Sequence, residues 1–248
     1  GVSQEKRERI VKAAQVLGYR RNSSAAQMKS GRFNSISLVL GTNQWRTYFT
    51  PSLMAGILEE ATRHDLHLNV ARLGDEKLDN PNYVPKILRE LMVDGLLIDY
   101  IYGVPEHMMK LIKQHRIPSI WLNSKHEFDC VYPDDEMATR QATQRLLELG
   151  HTRIAYVQHA HSEHYSTRDR LRGYVKAMNE ARLEPHIYEP QVNPISDSQA
   201  LVGQIASWLK GDNPPTAVVA YEDYFALPVL AGSSGMAYSS RFIINRHS

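Results

Sequence analysis

The sequence predicts a doubly wound α/β fold, a parallel sheet with helices on both faces, behind a short basic arm. Two observations carry the fold. From residue 35, apolar runs of four to six residues alternate with amphipathic helical stretches. The runs are continuous and do not alternate with polar residues, as strands covered on both faces require. A third observation sets the arm apart. Residues 1–32 hold eight Lys or Arg against two acids, while the other 216 residues hold 21 bases against 25 acids. A segment of +6 on a body of −4 is a usual footprint of nucleic-acid binding.

Each element has its own reason. Residues 3–17 read as a helix, with Ser3 as N-cap and Gly18 as its stop. Ile10, Ala13, Ala14 and Leu17 fall on one face at helical spacing, a narrow stripe that needs a partner. Asn22 can cap SSAAQMKS, which ends at Gly31, a helix of barely two turns that does not hold alone in water. The predicted strands are Ile36–Leu40, Leu66–Ala71, Gly95–Ile98, Ser119–Leu122, Arg153–Val157 and Thr216–Ala220. Helices fill most gaps, at about 50–64, 82–92, 105–115, 136–149, 168–182, 197–210 and 223–230. Right-handed crossovers wind such elements into a sheet that binds ligands at the carboxyl ends of its strands. After ALPVL (226–230), AGSSGMAYSSRFIINRHS has no clear periodicity, so the alternation is expected to stop at 230.

Composition narrows the function. The chain has 248 residues, 42% hydrophobic and 23% charged, the values of a soluble globular protein. No apolar run approaches the roughly 18 residues that cross a bilayer. The N-terminus GVSQEKRERIV lacks the apolar core of a secretory signal. Cys130 is the single cysteine, so no internal disulfide forms, which suits a reducing cytosol and predicts a cytoplasmic protein.

Catalytic signatures are absent. There is no G-x-x-x-x-G-K-[ST], G-x-G-x-x-G or G-x-S-x-G. Cys130 has no local signature of a nucleophile and reads as a packed or semi-exposed thiol. HAHSEH (159–164) follows the strand IAYV and offers three imidazoles to zinc, but only Glu163 lies nearby at a plausible ligand spacing. A polar loop at the mouth of the crevice is the preferred reading. Neither metal, cofactor nor catalytic residue is expected. The acid pairs Asp134–Asp135 and Glu222–Asp223 stand at helix starts, where carboxylates cap N–H groups, and helix starts also line the crevice of this fold. Aromatics recur after strands: Trp45, Tyr48 and Phe49; Tyr100 and Tyr102; Trp121; Tyr165; Tyr221 and Tyr224. Mixed with Asn123, Asp134 and Arg170, they suit a pocket for a small polyhydroxylated or ring-shaped ligand.

VSQEKRERIVKAAQVLGYRRNSSAAQMKSGR resembles the end of the DNA-binding headpiece and the hinge of the LacI/GalR family of bacterial transcription repressors. VDGLLI, IPSIWL, LLELGHTRIAYV, STRDRLRGYVKAM and PTAVVAYEDYFAL resemble successive segments of that family's effector domain, in order. The similarity runs from about residue 2 to 230. It implies the periplasmic-binding-protein-like type I fold, two α/β subdomains around a cleft. The domains it implies are 1–32 (third headpiece helix and hinge), 33–133 (N-terminal effector subdomain) and 134–230 (C-terminal effector subdomain, incomplete), then an atypical tail at 231–248.

The resemblance also implies a mechanism. The hinge becomes helical when two copies meet in the DNA minor groove, where an apolar side chain wedges between base pairs. Met28 occupies that position, where the family usually carries Leu, and Ala25 lies one turn before it. Arg20, Arg21, Asn22, Ala25, Met28, Lys29 and Arg32 are the implied DNA-binding residues. Tyr48, Phe49, Asn123, Asp134, Arg170, Glu222 and Asp223 are the implied effector-binding residues. Arg170 matches the family's ligand-binding arginine, whose planar fork can hold two hydroxyls or a carboxylate. Glu222 replaces an Asn common in the family, so the ligand's donors should differ from a typical sugar's. Implied partners are operator DNA, a small effector such as a sugar, and a second copy of the chain in a homodimer, with no membrane.

Two departures stand out. The helix-turn-helix proper should precede Gly1, and the family's later strands, with a Gly-Phe-Asp-Asp-like strand end, do not match residues 231–248. The alternative reading is a solute-binding receptor of a transporter on the same fold, which predicts a secretory signal and no hinge. A small-molecule enzyme on an α/β scaffold would need a nucleophile–base pair or cofactor motif.

Overall fold

The computed structural model describes residues 3–19, 31–42, 49–74, 77, 80, 82–90, 92–101, 104, 106–158, 164–192, 197–233 and 241–244. The chain divides into two compact units, Gly1–Cys130 and Val131–Ser248. Its two sheets are parallel in their described main pairings and carry helices between strands, the α/β class expected.

The chain opens with α1 (Gln4–Val16). Ser3 sits at the N-cap in extended geometry without a side-chain cap bond, and Gly18 at φ +62 ends the helix. No residue of α1 is buried, and Ile10, Val16 and Leu17 are 62%, 80% and 80% exposed. The expected stripe therefore finds no partner among the described residues. In the hinge, Gly31 adopts φ +67, the left-handed conformation glycine accepts most readily. Arg32 is exposed. Arg20, Arg21, Asn22, Ala25, Met28 and Lys29 lie outside the described residues.

In the first unit the strands are β1 (Ser35–Gly41), β2 (His67–Leu73), β3 (Gly95–Asp99) and β4 (Ser119–Leu122), with β5 (Cys130–Val131) at the edge in the order β2-β1-β3-β4-β5. β1 lies between β2 and β3, and Leu38 and Val39 are fully buried, as its continuous apolar run requires. β2 departs from the expectation of a fully buried strand. It pairs only with β1 at the sheet edge, and Val70 is 56% exposed. The VDG motif has a structural reason: Asp94 accepts from Phe33 N at 2.8 Å and Ser35 N at 3.3 Å, pinning the start of β1 beside β3.

Three helices are described between these strands. Helix α2 (Pro51–Arg63) is capped by Thr50, whose hydroxyl accepts from Leu53 N at 3.2 Å. Helix α3 (Lys86–Glu90) is shorter than the predicted 82–92, because Asn80 forms an Asx turn with Asn82 N and Pro85 precedes the first helical residue. Helix α4 (Glu106–His115) buries Met108, Leu111 and Ile112 against Ile98, Tyr100 and Trp121.

The second unit contains α5 (Asp135–Glu148), β6 (Ile154–Val157), α6 (Tyr165–Glu180), β7 (His186–Tyr188), α7 (Ser198–Leu209), β8 (Ala217–Ala220), α8 (Asp223–Ser233) and β9 (Arg241–Ile244). The sheet order is β7-β6-β8-β9, and β6 and β8 are buried along their whole length. The alternation expected to stop at 230 continues: α8 runs to Ser233, and RFII pairs parallel to β8. Helix α6 begins at Tyr165, three residues before the predicted start.

The α5–α6 contact depends on Gly173. A Cβ there would sit 2.2 Å from Glu136 O and 2.9 Å from Arg140 N, closer than any side chain tolerates. Two further contacts organise this unit. The Tyr174 hydroxyl donates to Ile154 O at 2.8 Å and accepts from His186 N at 2.7 Å, tying α6 to β6 and β7. Tyr188 stacks on Trp208 at 4.2 Å between centroids.

Candidate functional site

The strongest polar cluster lies in the second unit, where β6 and β8 end and α5 and α6 begin. Asp135 comes from the first turn of α5 and Arg170 from the second turn of α6. Tyr221 and Glu222 lie just past β8. Arg170 Nε donates to Asp135 Oδ1 at 2.7 Å, with both side chains 3% exposed. Arg170 Nη1 donates to the Tyr221 carbonyl, and the guanidinium carbon lies 4.7 Å from the Tyr221 ring centroid. A cation–π contact and a carboxylate together fix the plane of the fork.

A second chain of hydrogen bonds meets the first at Tyr221. Its hydroxyl is 2.8 Å from Ser166 Oγ, which is 2.6 Å from His164 Nδ1. All three residues are buried. The Ser166 hydroxyl bridges two neighbours inside a packed helix start, an arrangement that orders hydroxyls. The Tyr165 ring lies 4.4 Å from His164 and 5.5 Å from Tyr132.

Electrostatics follow from burial. Burial pushes the Tyr165 hydroxyl up, and the Asp135 carboxylate beside it pushes further. Tyr156 is raised, again first by burial, with Arg170 opposing. Burial also raises Glu222; Arg170 opposes that shift and Asp223 adds to it. Arg170, Glu222 and Asp223 therefore share one electrostatic neighbourhood. In the first unit, Asp99 at the end of β3 is lifted by burial to about 7.

The expected site residues fall into distinct settings. Arg170 is buried, and its fork is already held by Asp135 and a carbonyl. Asp134 is exposed and caps α5, accepting from Met137 N at 3.0 Å. Glu222 is half-buried, and Asp223, exposed, opens α8. In the first unit, Asn123 follows β4 with φ 50, and half-buried Phe49 directly precedes the Thr50 cap. Tyr48 lies outside the described residues. Tyr100 and Trp121 belong to the first unit's core, the bland reading of an aromatic at a strand end. Cys130 donates its thiol to His126 O at 3.2 Å. Of HAHSEH only His164 is described, and no metal-ligating group of three appears among the described residues.

Sequence reasoning missed Asp135 as a site residue. It treated Asp134 and Asp135 alike as capping acids, yet neighbours on a helix start point in different directions, one to solvent and one inward. The apolar positions of α5 near Leu146 mark its inner face and could have singled out Asp135. The His164–Ser166–Tyr221 chain spans 55 residues in its longer link and left no local signal.

A family model described as "Periplasmic binding proteins and sugar binding domain of LacI family" matches residues 24–238. The chain belongs to the LacI family. It is 24% identical over 239 residues to Catabolite control protein A of Priestia megaterium, covering 92% of this chain and 68% of that protein. It is 28% identical over 188 residues to the HTH-type transcriptional regulator MalR of Streptococcus pneumoniae, covering 73% of this chain and 56% of that one. The chain thus spans about half to two thirds of these relatives. Among solved structures it matches the lac repressor dimer bound to operator and the anti-inducer ONPF, with TM-score 0.68 and 19% identity, over 96% of this chain and 71% of that chain. That likeness speaks for the fold. Relatives that the chain matches include proteins named as HTH-type transcriptional regulators or repressors, MalR and PurR. Among the described residues no helix is long and apolar enough to cross a membrane.

Proposed function

We propose that this LacI-family chain is the effector-responsive part of a DNA-binding transcriptional repressor, with a small molecule of the sugar class as effector. The observation that carries the reading is the Arg170–Asp135–Tyr221 cluster: a fixed guanidinium at the carboxyl edge of a parallel sheet, inside the segment matched by a sugar-binding family model. Arg170, Glu222, Asp223 and Asp134 are the second unit's ligand-facing residues. In the first unit, Tyr48, Phe49 and Asn123 are proposed as effector-binding residues on the sequence resemblance alone.

The protein works in the cytoplasm as a homodimer, without a cofactor, and its basic arm engages operator DNA through Arg20, Arg21, Asn22, Ala25, Met28, Lys29 and Arg32. The +6 charge of residues 1–32 supports this, as does the operator-bound dimer of the lac repressor. Effector and operator are linked, with a coupling of about 1–3 kcal/mol. DNA affinity falls steeply with salt, because the arm neutralises phosphates.

The test is titration of the chain with a panel of mono- and disaccharides and nucleosides, followed by tryptophan fluorescence, beside Arg170→Lys. Saturable binding that weakens at least tenfold in R170K supports the reading, because lysine keeps the charge and loses the fork. No saturable response to any member removes the effector half. A separate titration with duplex DNA at low ionic strength tests the other half, and absence of salt-sensitive binding removes it.

A further inference from the structure

We infer that Asp94 is the positioning residue of the DNA-binding arm: its carboxylate fixes the direction in which the chain at 31–33 leaves the first unit, and with it the posture from which the arm meets duplex DNA. This deepens the proposed function and rests on its DNA half.

The arm runs into β1 through Arg32, Phe33 and Asn34, with no helix or proline there to stiffen the junction. Stiffness comes from a residue 61 positions beyond Phe33. The parallel register sets Ile36 beside Gly95, so Asp94 stands next to the start of β1. Its Oδ1 accepts from Phe33 N at 2.8 Å and its Oδ2 from Ser35 N at 3.3 Å. Between those amides Asn34 takes φ +50. Two N–H groups that flank a left-handed residue and face one anion make a backbone nest. Further bonds close round the same point. Asp94 N donates to Ser35 O at 2.7 Å, and Ser35 Oγ donates to Met92 O at 3.1 Å. His67 N, at the head of β2, donates to Asn34 O at 2.9 Å. Residues 33–35 are thereby tied to both neighbouring strands.

Two residues earlier the constraint ends. Gly31 has φ +67, and among the described residues no heavy atom lies within 4 Å of the place its Cβ would take. Arg32 is exposed. The chain passes from open space into a clamp within a few residues, and the Asp94 carboxylate supplies the clamp's charge-assisted bonds.

For DNA binding the two properties of Asp94 have opposite signs. As a negative charge next to the exit of an arm of +6, it opposes the phosphate backbone. As a clamp it favours binding, because an arm whose exit is already fixed has less freedom to lose on the duplex. Positioning therefore predicts that removing this acid weakens DNA binding, where charge alone predicts that it strengthens.

The experiment compares the full chain with Asp94→Asn, Asp94→Glu and a control in the same unit, Asn80→Ala, which removes the acceptor of Asn82 N between β2 and α3. Asn keeps one accepting oxygen and points an NH2 at the other amide, while Glu keeps the charge and displaces it by a methylene. Each protein is titrated with a mixed-sequence DNA duplex over a range of sodium chloride, and hydrogen exchange is read at Phe33, Ser35, Leu38 and Val39. Both Asp94 variants are expected to bind the duplex about fivefold more weakly at low salt. The dependence on salt should keep its slope, because the cations of the arm are untouched. Phe33 and Ser35 should exchange faster, while Leu38 and Val39 stay protected and show that the sheet is folded. N80A should bind as the wild type does. D94N binding as tightly as the wild type, or more tightly, overturns the inference, and so does N80A weakened as much as D94N. If Leu38 and Val39 lose protection in D94N, D94E decides; loss in both variants makes Asp94 a folding residue and overturns the inference. A wild-type chain without salt-sensitive duplex binding overturns it together with the DNA half of the proposed function.

Discussion

Asp99 ends β3 in the first unit and Asp135 opens α5 in the second, and both are withdrawn from water, at 0% and 3% exposure. Their treatment differs. Asp135 meets a guanidinium at 2.7 Å, inside a helix pair that leaves no room for a side chain at Gly173. Asp99 is governed by burial, which lifts its carboxyl to about 7. One unit holds a fixed charge pair, and the other holds a group whose charge changes near neutral pH. A buried carboxylate is tolerated either by matching it or by neutralising it.

The comparison breaks most sharply at the ion pair. Asp135→Ala leaves Arg170 buried beside a void, and chemical denaturation should show a loss of about 3–5 kcal/mol. The double variant Asp135→Leu with Arg170→Met should recover most of that stability while losing sugar binding. A double variant as unstable as D135A would contradict the charge argument.

In the first unit the effect depends on pH. A folded-state value of about 7 against 3.8 unfolded means that the folded chain binds the proton more tightly. The contribution of Asp99 is therefore fully present below about pH 4 and is lost as pH rises through 7, by up to about 4 kcal/mol. Asp99→Asn should flatten that slope, measured by hydrogen exchange of β3 between about pH 5 and 8, and an unchanged slope would place the titration elsewhere.

The rigidity of the second unit is sharpened by Gly173→Ala. The added methyl meets backbone, not a flexible side chain, and should cost about 2–3 kcal/mol, read from the melting curve. A neutral G173A would mean that the helices part easily. The smallest effect belongs to Asp134→Ala, which removes the α5 cap and should cost about 1 kcal/mol with Asp135 left in place.

The same comparison explains what could be read from the residues alone. The strands β1, β3, β4, β6 and β8 announce themselves, because continuous apolar runs have few other uses in a chain of this kind. The strand β7 (His186–Tyr188) does not, because an edge strand of three residues carries too little apolar surface to show a pattern. β2 was legible as a strand but not as an edge, since edge position is set by neighbours distant in sequence. Pro85 was visible, yet the Asx turn at Asn80 that completes the shortening of α3 was not read. Arg170 was found through resemblance, whereas its partner lies 35 residues earlier and looks like a capping acid. A single sequence displays local propensity well, but it does not display which of two adjacent acids turns inward.

Hydrogen exchange on the chain with and without the tightest-binding sugar of the panel tests the central claim most directly. The account predicts added protection concentrated at residues 164–170 and 221–226, which carry the proposed effector-binding residues Arg170, Glu222 and Asp223. Protection confined to other segments, with these two unchanged at saturation, would contradict it.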